Sequence, residues 1–187
     1  DLQKEGAGLL FTNGTITQNS FSVIGGVFES NGFIVSNMTV GPLGTLRGSS
    51  FITGDILSQG VIVPGNSPGT LSIFGDLTLT SGSFVEIEFN PTQADLILIT
   101  GTMIIQPGAT LALFPEFGTY LPNHTYQIAL VSDDIFGEFS SISLSLPTFS
   151  VEVFYLPFGV PTEIDLLINA LPFSAVVTNG NNGQVAK

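Results

Sequence analysis

Glycine and proline interrupt this chain so often that a helix has no room to form. There are 22 Gly and 11 Pro in 187 residues, and no stretch of 11 or more keeps apolar spacing of three and four without a breaker. The runs between breakers are rich in Val, Ile, Thr and Phe, and read as strands of about four to six residues. In VEIEF the alternation places Val85, Ile87 and Phe89 on one face and Glu86 and Glu88 on the other.

The breakers recur. Gly44-Thr45-Leu46 returns as Gly69-Thr70-Leu71 after 25 residues. Gly54-Asp55-Ile56 returns as Gly75-Asp76-Leu77 after 21, then as Gly101-Thr102-Met103 after 26. Gly60-Val61-Ile62 becomes Gly82-Ser83-Phe84 after 22 and Gly108-Ala109-Thr110 after 26. Repetition in this range with no helix predicts an all-β solenoid, a right-handed parallel β-helix of roughly five coils. One coil cannot close its own core, so neighbours must stack. Coils are expected over residues 1–121, in a looser pattern before 47. There Gly14-Thr15-Ile16, Gly26-Val27-Phe28 and Gly32-Phe33-Ile34 look like corners without a common period. After Leu121 the rhythm stops and longer alternating strands begin, at Tyr126–Leu130, Ser150–Tyr155 and Ile164–Ile168. They predict an antiparallel cap over 122–170, the expected cover for an open end of a stack. Residues 171–187 read as a linker.

Composition narrows the partners. Apolar residues make up 43% and charged residues 10%, with 15 acidic groups against Lys4, Arg47 and Lys187 and a net charge of −12. Nucleic acid, which is held by Lys and Arg, is excluded as a partner, and an anionic membrane surface is disfavoured. Cysteine is absent, so no disulfide, thiolate or Cys-ligated metal is available. No signal peptide is visible, and the chain reads as a fragment that begins mid-pattern. Apolar runs are too short for a spanning helix, and the corners leave strands too short for a membrane barrel.

VIVPGNSPGTLSIFGDLTL, Val61 to Leu79, resembles the passenger-associated transport repeat of bacterial autotransporters. Three further stretches are similar to that family in the same order. ADLILITGT matches its acidic-hydrophobic strand, and YQIALVSDDIFGEFSSI its Y-x-I segment followed by G-x-F, held here by Gly137 and Phe139. PFSAVVTNGNNGQVAK loosely matches the start of its linker to the barrel. The resemblance covers Gly60 to the C-terminus. It implies a non-enzymatic passenger stem with an autochaperone region, displayed at the bacterial surface or secreted after transit through the periplasm. The implied partner is the protein's own outer-membrane β-barrel. The folding motif it implies comprises Pro64, Gly65, Asn66, Ser67, Pro68, Gly69, Gly75, Asp76, Tyr126, Gly137 and Phe139. GGVFESN, Gly25 to Asn31, faintly resembles a repeat of chlamydial polymorphic membrane proteins, which are autotransported adhesins. A β-helical adhesin with a host-cell receptor, and a carbohydrate-active β-helix enzyme, are the alternative readings.

Candidate chemistry is sparse, and neither a catalytic residue nor a cofactor is expected. His124, the only histidine, sits among turn residues in LPNHTY and reads as a solvated loop residue. Glu86 and Glu88 share a face and could do acid–base work on sugars, but a wet outer face explains them as well. Asp133, Asp134 and Glu138 lack calcium-loop spacing, so no metal site is expected. Gly75-Asp76 and Gly54-Asp55 are corners rather than phosphate loops, since no helix follows. The N-x-T sequons at Asn13, Asn37 and Asn123 read as chance matches in an Asn- and Thr-rich chain. Asn181-Asn182 reads as part of a flexible linker in preference to a cleavage point.

Overall fold

The structure is a computed structural model that describes residues 1–145, 149–157 and 159–170. The described chain is all-β, and its eighteen strands hydrogen-bond into one sheet that curls on itself. Apart from two isolated antiparallel bridges, Gly48–Gly65 and Phe89–Ala94, the strands up to Leu144 pair with one another in parallel, and the antiparallel ladders are those made by the last strand. This arrangement is consistent with a β-solenoid.

Two short strands, β1 (Leu2–Lys4) and β2 (Leu9–Thr12), lie along β3 (Thr15–Ser30), which lies along β4 (Phe33–Gly48). Along β4 run β5 (Phe51–Thr53), β6 (Ile56–Ser58) and β7 (Val61–Pro64), each against a different part of it. The next layers repeat that threefold division. One is β8 (Thr70–Phe74), β9 (Leu77–Leu79) and β10 (Phe84–Phe89); the next is β11 (Leu96–Ile99), β12 (Met103–Ile105) and β13 (Thr110–Pro115). Then come β14 (His124–Val131), β15 (Ile135–Phe136) and β16 (Ser141–Leu144), parallel to β11, β12 and β13. The last two strands, β17 (Phe149–Leu156) and β18 (Glu163–Ala170), are antiparallel, and β18 is also antiparallel to β14.

The core follows from register. Ile16, Ile34, Ile52, Ile73, Ile99 and Val131 occupy one row across successive strands. Phe21, Met38, Ile56, Leu77, Met103 and Ile135 form a second row, each at most 3% exposed. Phe28, Leu46, Ile62, Val85 and Leu111 form a third. β-Branched and large apolar side chains suit such rows because each packs on its counterpart above and below.

Several sequence expectations need correction. The interval between stacked residues is not confined to 21–26. From Met38 the successive steps to Ile56, Leu77, Met103 and Ile135 are 18, 21, 26 and 32 residues. The region before 47 is therefore regularly paired, at a shorter interval. Its connections are short because β3 and β4 turn corners without leaving the ladder. Register shifts between Thr17 and Ser20 and between Val23 and Gly25 mark the bends, as bulges do. These two strands are 16 residues long, not four to six. The two Gly-Thr-Leu copies do not stack: Thr45 pairs with Val61, and Thr70 with Leu96. Val61 pairs with Phe84, one residue beyond the expected position. Parallel stacking also continues past Leu121, because the insertion before β14 lengthens the layer without ending it.

Glycine 75 shows why corners cannot carry side chains. A Cβ there would lie 2.5 Å from the Gly54 carbonyl oxygen in the layer below. Gly75→Ala should lower stability by about 1–3 kcal/mol, read from the urea midpoint, whereas Ala at Gly82, with open space but positive φ, should cost less.

Candidate functional site

The PGNSPG turn joins β7 to β8 as a closed loop rather than an extended link. Pro64 and Gly65 are buried. Gly65 has φ +77°, and a Cβ on it would fall 2.3 Å from Gly69 Cα. Both glycines are therefore required where the loop closes. The Ser67–Pro68 peptide bond is cis.

The loop is stitched to the layers on both sides. Gly65 N–H donates to Gly48 O at 3.0 Å. Asn66 Nδ2 donates to Asn31 Oδ1 at 3.0 Å, and the same oxygen accepts Ser49 N–H at 2.9 Å. On the other side Ser67 Oγ donates to the Glu88 carboxylate. Asp95, fully buried at the head of β11, accepts Gly69 N–H at 2.7 Å and Glu88 N–H at 2.8 Å. Burial pushes the Asp95 carboxyl up to about 6 despite those two N–H bonds, and Glu88 and Glu116 add to the rise. Beside the turn lies a small cleft of about 80 Å³ lined by Arg47, Val63, Gly65, Asn66, Ser67 and Glu88. Arg47 is already paired with Glu29, at 2.7 Å.

Gly75-Asp76 belongs to a second set of stitches. Asn37 Oδ1 accepts Asp55 N–H at 2.9 Å, Asp55 Oδ1 accepts Asp76 N–H at 3.0 Å, and Asp76 Oδ1 accepts Thr102 N–H at 2.8 Å. Each side chain thus satisfies a backbone donor one layer on, at a corner where the strand ladder leaves it unpaired.

Tyr126, Gly137 and Phe139 lie where the stack meets the cap. Tyr126 Oη donates to Asn90 O at 2.8 Å, and its ring packs against Phe89 at 5.5 Å. Burial raises its phenol to about 12. Gly137 has φ +84°, and a Cβ on it would lie 2.0 Å from Ile105 O. Phe139 N–H donates to Tyr155 Oη at 2.8 Å, which ties β17 to the last parallel layer. A cleft of about 330 Å³ opens here, lined by Ile135, Gly137, Glu138, Tyr155, Gly159 and Pro161. Its polar side chains are the Glu138 carboxylate and the Tyr155 phenol, whose oxygen accepts Phe139 N–H.

The remaining candidates fall apart. His124 is not in a loop: it is half-buried at the start of β14, edge-on to Tyr126 at 4.5 Å. Glu86 and Glu88 do share the outer face of β10, but Glu88 is engaged by Ser67. Glu86 is raised by burial and then by Glu88. No group of three or more His, Asp or Glu among the described residues could hold a metal, Asp133, Asp134 and Glu138 included. The linker expected over 171–187, with Asn181-Asn182, lies outside the described residues.

Asp95, Asn31 and Tyr155 were missed by name. Asp95 lies within ADLILITGT, where an acidic residue before a fully apolar strand was a usable signal. Tyr155 had none, because its partner is a backbone amide 16 residues away.

Asp95→Ala would leave two partly buried N–H groups without their partner and should lower stability by about 1–3 kcal/mol. Wild-type stability should rise as the pH falls. Asp95, Glu86 and Asp165 all have raised carboxyls, the last through burial and then Glu163. An unfolded carboxyl titrates near 4, so from about 6 down to about 4 the folded state binds more protons than the unfolded state. Urea midpoints across that window should increase on acidification, less steeply in Asp95→Ala.

A scan against protein-family models gives no match, and a search of curated proteins gives none.

Proposed function

We propose that the chain is the non-enzymatic stem of a bacterial autotransporter passenger. In this reading it is a right-handed parallel β-helix of roughly five coils, displayed at the cell surface or released from it. Its C-terminal cap seeds folding and drives secretion across the outer membrane, and its own outer-membrane β-barrel is the partner.

The observation that carries this reading is the double role of β14. It pairs parallel with β11 on one side and antiparallel with β18 on the other. The cap is therefore hydrogen-bonded into the stack and offers its strands as a template. A folded cap presents paired backbone and a row of buried side chains, Ile164, Leu166 and Ile168, to the layer that joins it. Each added layer buries apolar area at roughly 25 cal/mol per Å², which biases movement of an unfolded chain toward the folded side without a nucleotide fuel. The polar groups of the site act on backbone amides, which suits a folding element better than a catalyst.

An adhesin is the second reading, favoured by three exposed, stacked rings. Phe33 and Phe51 lie 5.4 Å apart, and Phe51 and Phe74 6.5 Å apart. Loss of host-cell binding on removing residues 1–47 would support it.

Deleting residues 126–168 from the protein together with its barrel should abolish surface display, measured by antibody labelling of intact cells. Normal display of that deletion would overturn the proposal. The point variant Gly137→Ala should reduce display and should slow refolding of the isolated chain.

A further inference from the structure

Two Asn–Gly corners lie one above the other near the amino end of the stack. Asn13–Gly14 joins β2 to β3, and Asn31–Gly32 joins β3 to β4. Their backbones are matched. Gly14 N–H donates to Thr12 Oγ1 at 3.0 Å, and Gly32 N–H to Ser30 Oγ at 3.3 Å. The two glycines are in close contact, since a Cβ on Gly32 would sit 2.0 Å from Gly14 O.

The carboxamides differ. Asn31 Oδ1 accepts both Ser49 N–H and Asn66 Nδ2, at 2.9 and 3.0 Å, and so is fixed toward the next layers. Asn13 is exposed, and its side chain has no hydrogen-bond partner among the described residues.

Asn followed by Gly is chemically labile because glycine has no Cβ to block the approach of its own nitrogen to the neighbouring carboxamide. The glycine nitrogen bonds to Asn Cγ and gives up its proton, the Cγ–Nδ2 bond breaks, and the amide nitrogen leaves as ammonia. Water then opens the resulting succinimide at either carbonyl, giving aspartate or isoaspartate. No oxidant or cofactor enters. The reaction requires the carboxamide to rotate over the following nitrogen, which Asn13 is free to do and Asn31 is not.

We propose that Asn13 is a self-modification site of the folded protein, converted to aspartate and isoaspartate, and that Ser49 and Asn66 keep Asn31 intact. The PGNSPG turn thereby protects a corner of the chain 35 residues away in sequence. Conversion adds a negative charge at Asn13. In the isoaspartyl form it also lengthens the backbone between Thr12 O, which accepts Asn31 N–H at 3.0 Å, and Gly14 O, which accepts Phe33 N–H at 3.1 Å. Those two bonds hold the corner to the next layer, so modification loosens the β2–β3 corner from the β3–β4 corner.

The test incubates the whole chain in mildly alkaline buffer, native or in urea, and follows the mass gain of deamidation. A glutamate-specific protease cuts after Glu5 and Glu29 and places the two asparagines on separate peptides. In the native chain the Asn13 peptide should gain mass at least about tenfold faster than the Asn31 peptide, the factor that breaking two ordinary hydrogen bonds imposes. In urea the two rates should converge. Asn66→Ala should accelerate reaction at Asn31 and leave Asn13 unchanged, and Asn13→Gln should remove the fast mass gain from its own peptide, where Asn19 remains. Equal rates in the native chain, or no reaction at Asn13, would overturn the proposal. The wild-type comparison of native and urea samples decides this even if Asn66→Ala is destabilised.

Discussion

Everything in this molecule depends on one condition: backbone must lie on backbone, layer upon layer, with nothing between. Parallel pairing supplies the hydrogen bonds along the stack, and inward rows such as Ile16, Ile34, Ile52, Ile73 and Ile99 supply the burial. The two requirements are coupled. A side chain at Gly75 or Gly101 would strike the corner of the layer below, lift the strands beside it, and open the rows they fill. That contact distance accounts for corner glycines such as Gly54, Gly75 and Gly101.

The same condition explains how polar groups are used. A corner leaves an N–H without a ladder partner, and this chain satisfies several with side chains from the preceding layer: Asn31, Asn37, Asp55 and Asp76. Asp95 performs this service for two amides at once, at the cost of burying a carboxyl. At the amino end Lys4 is buried and gives its ammonium protons to the carbonyls of Glu5, Gly6 and Gly25, at 3.0, 2.8 and 2.8 Å. Many of the charged and amide groups are thus engaged with main-chain atoms.

Much of the fold was legible because strands and breakers announce themselves locally. Val85, Ile87 and Phe89 are buried as the alternation requires, and the Gly54–Gly75–Gly101 series does stack. The identical Gly44-Thr45-Leu46 and Gly69-Thr70-Leu71 misled because similarity of three residues says nothing about the length of the intervening loop. The layer between β4 and β7 is shorter than the spacing of that pair, so Gly44 lies against Gly60 instead. The folding-motif residues were readable as turns and corners, but what they touch was not. Asn66 meets Asn31, and Phe139 meets Tyr155, across gaps that no local pattern encodes.

By itself the sequence determined the class of structure and its punctuation. Alternating apolar residues between glycines admit strands and exclude helices, and a chain without cysteine has no thiol chemistry. Only the tertiary structure decided register: how many residues each layer holds, that parallel pairing runs on to Leu144, and that β14 serves both the stack and the cap. The physical reason is that strand patterning is set by neighbours two residues apart. Which strand lies beside which is set by the fit of whole layers, a balance of loop length, bulges and buried rows that no single segment contains.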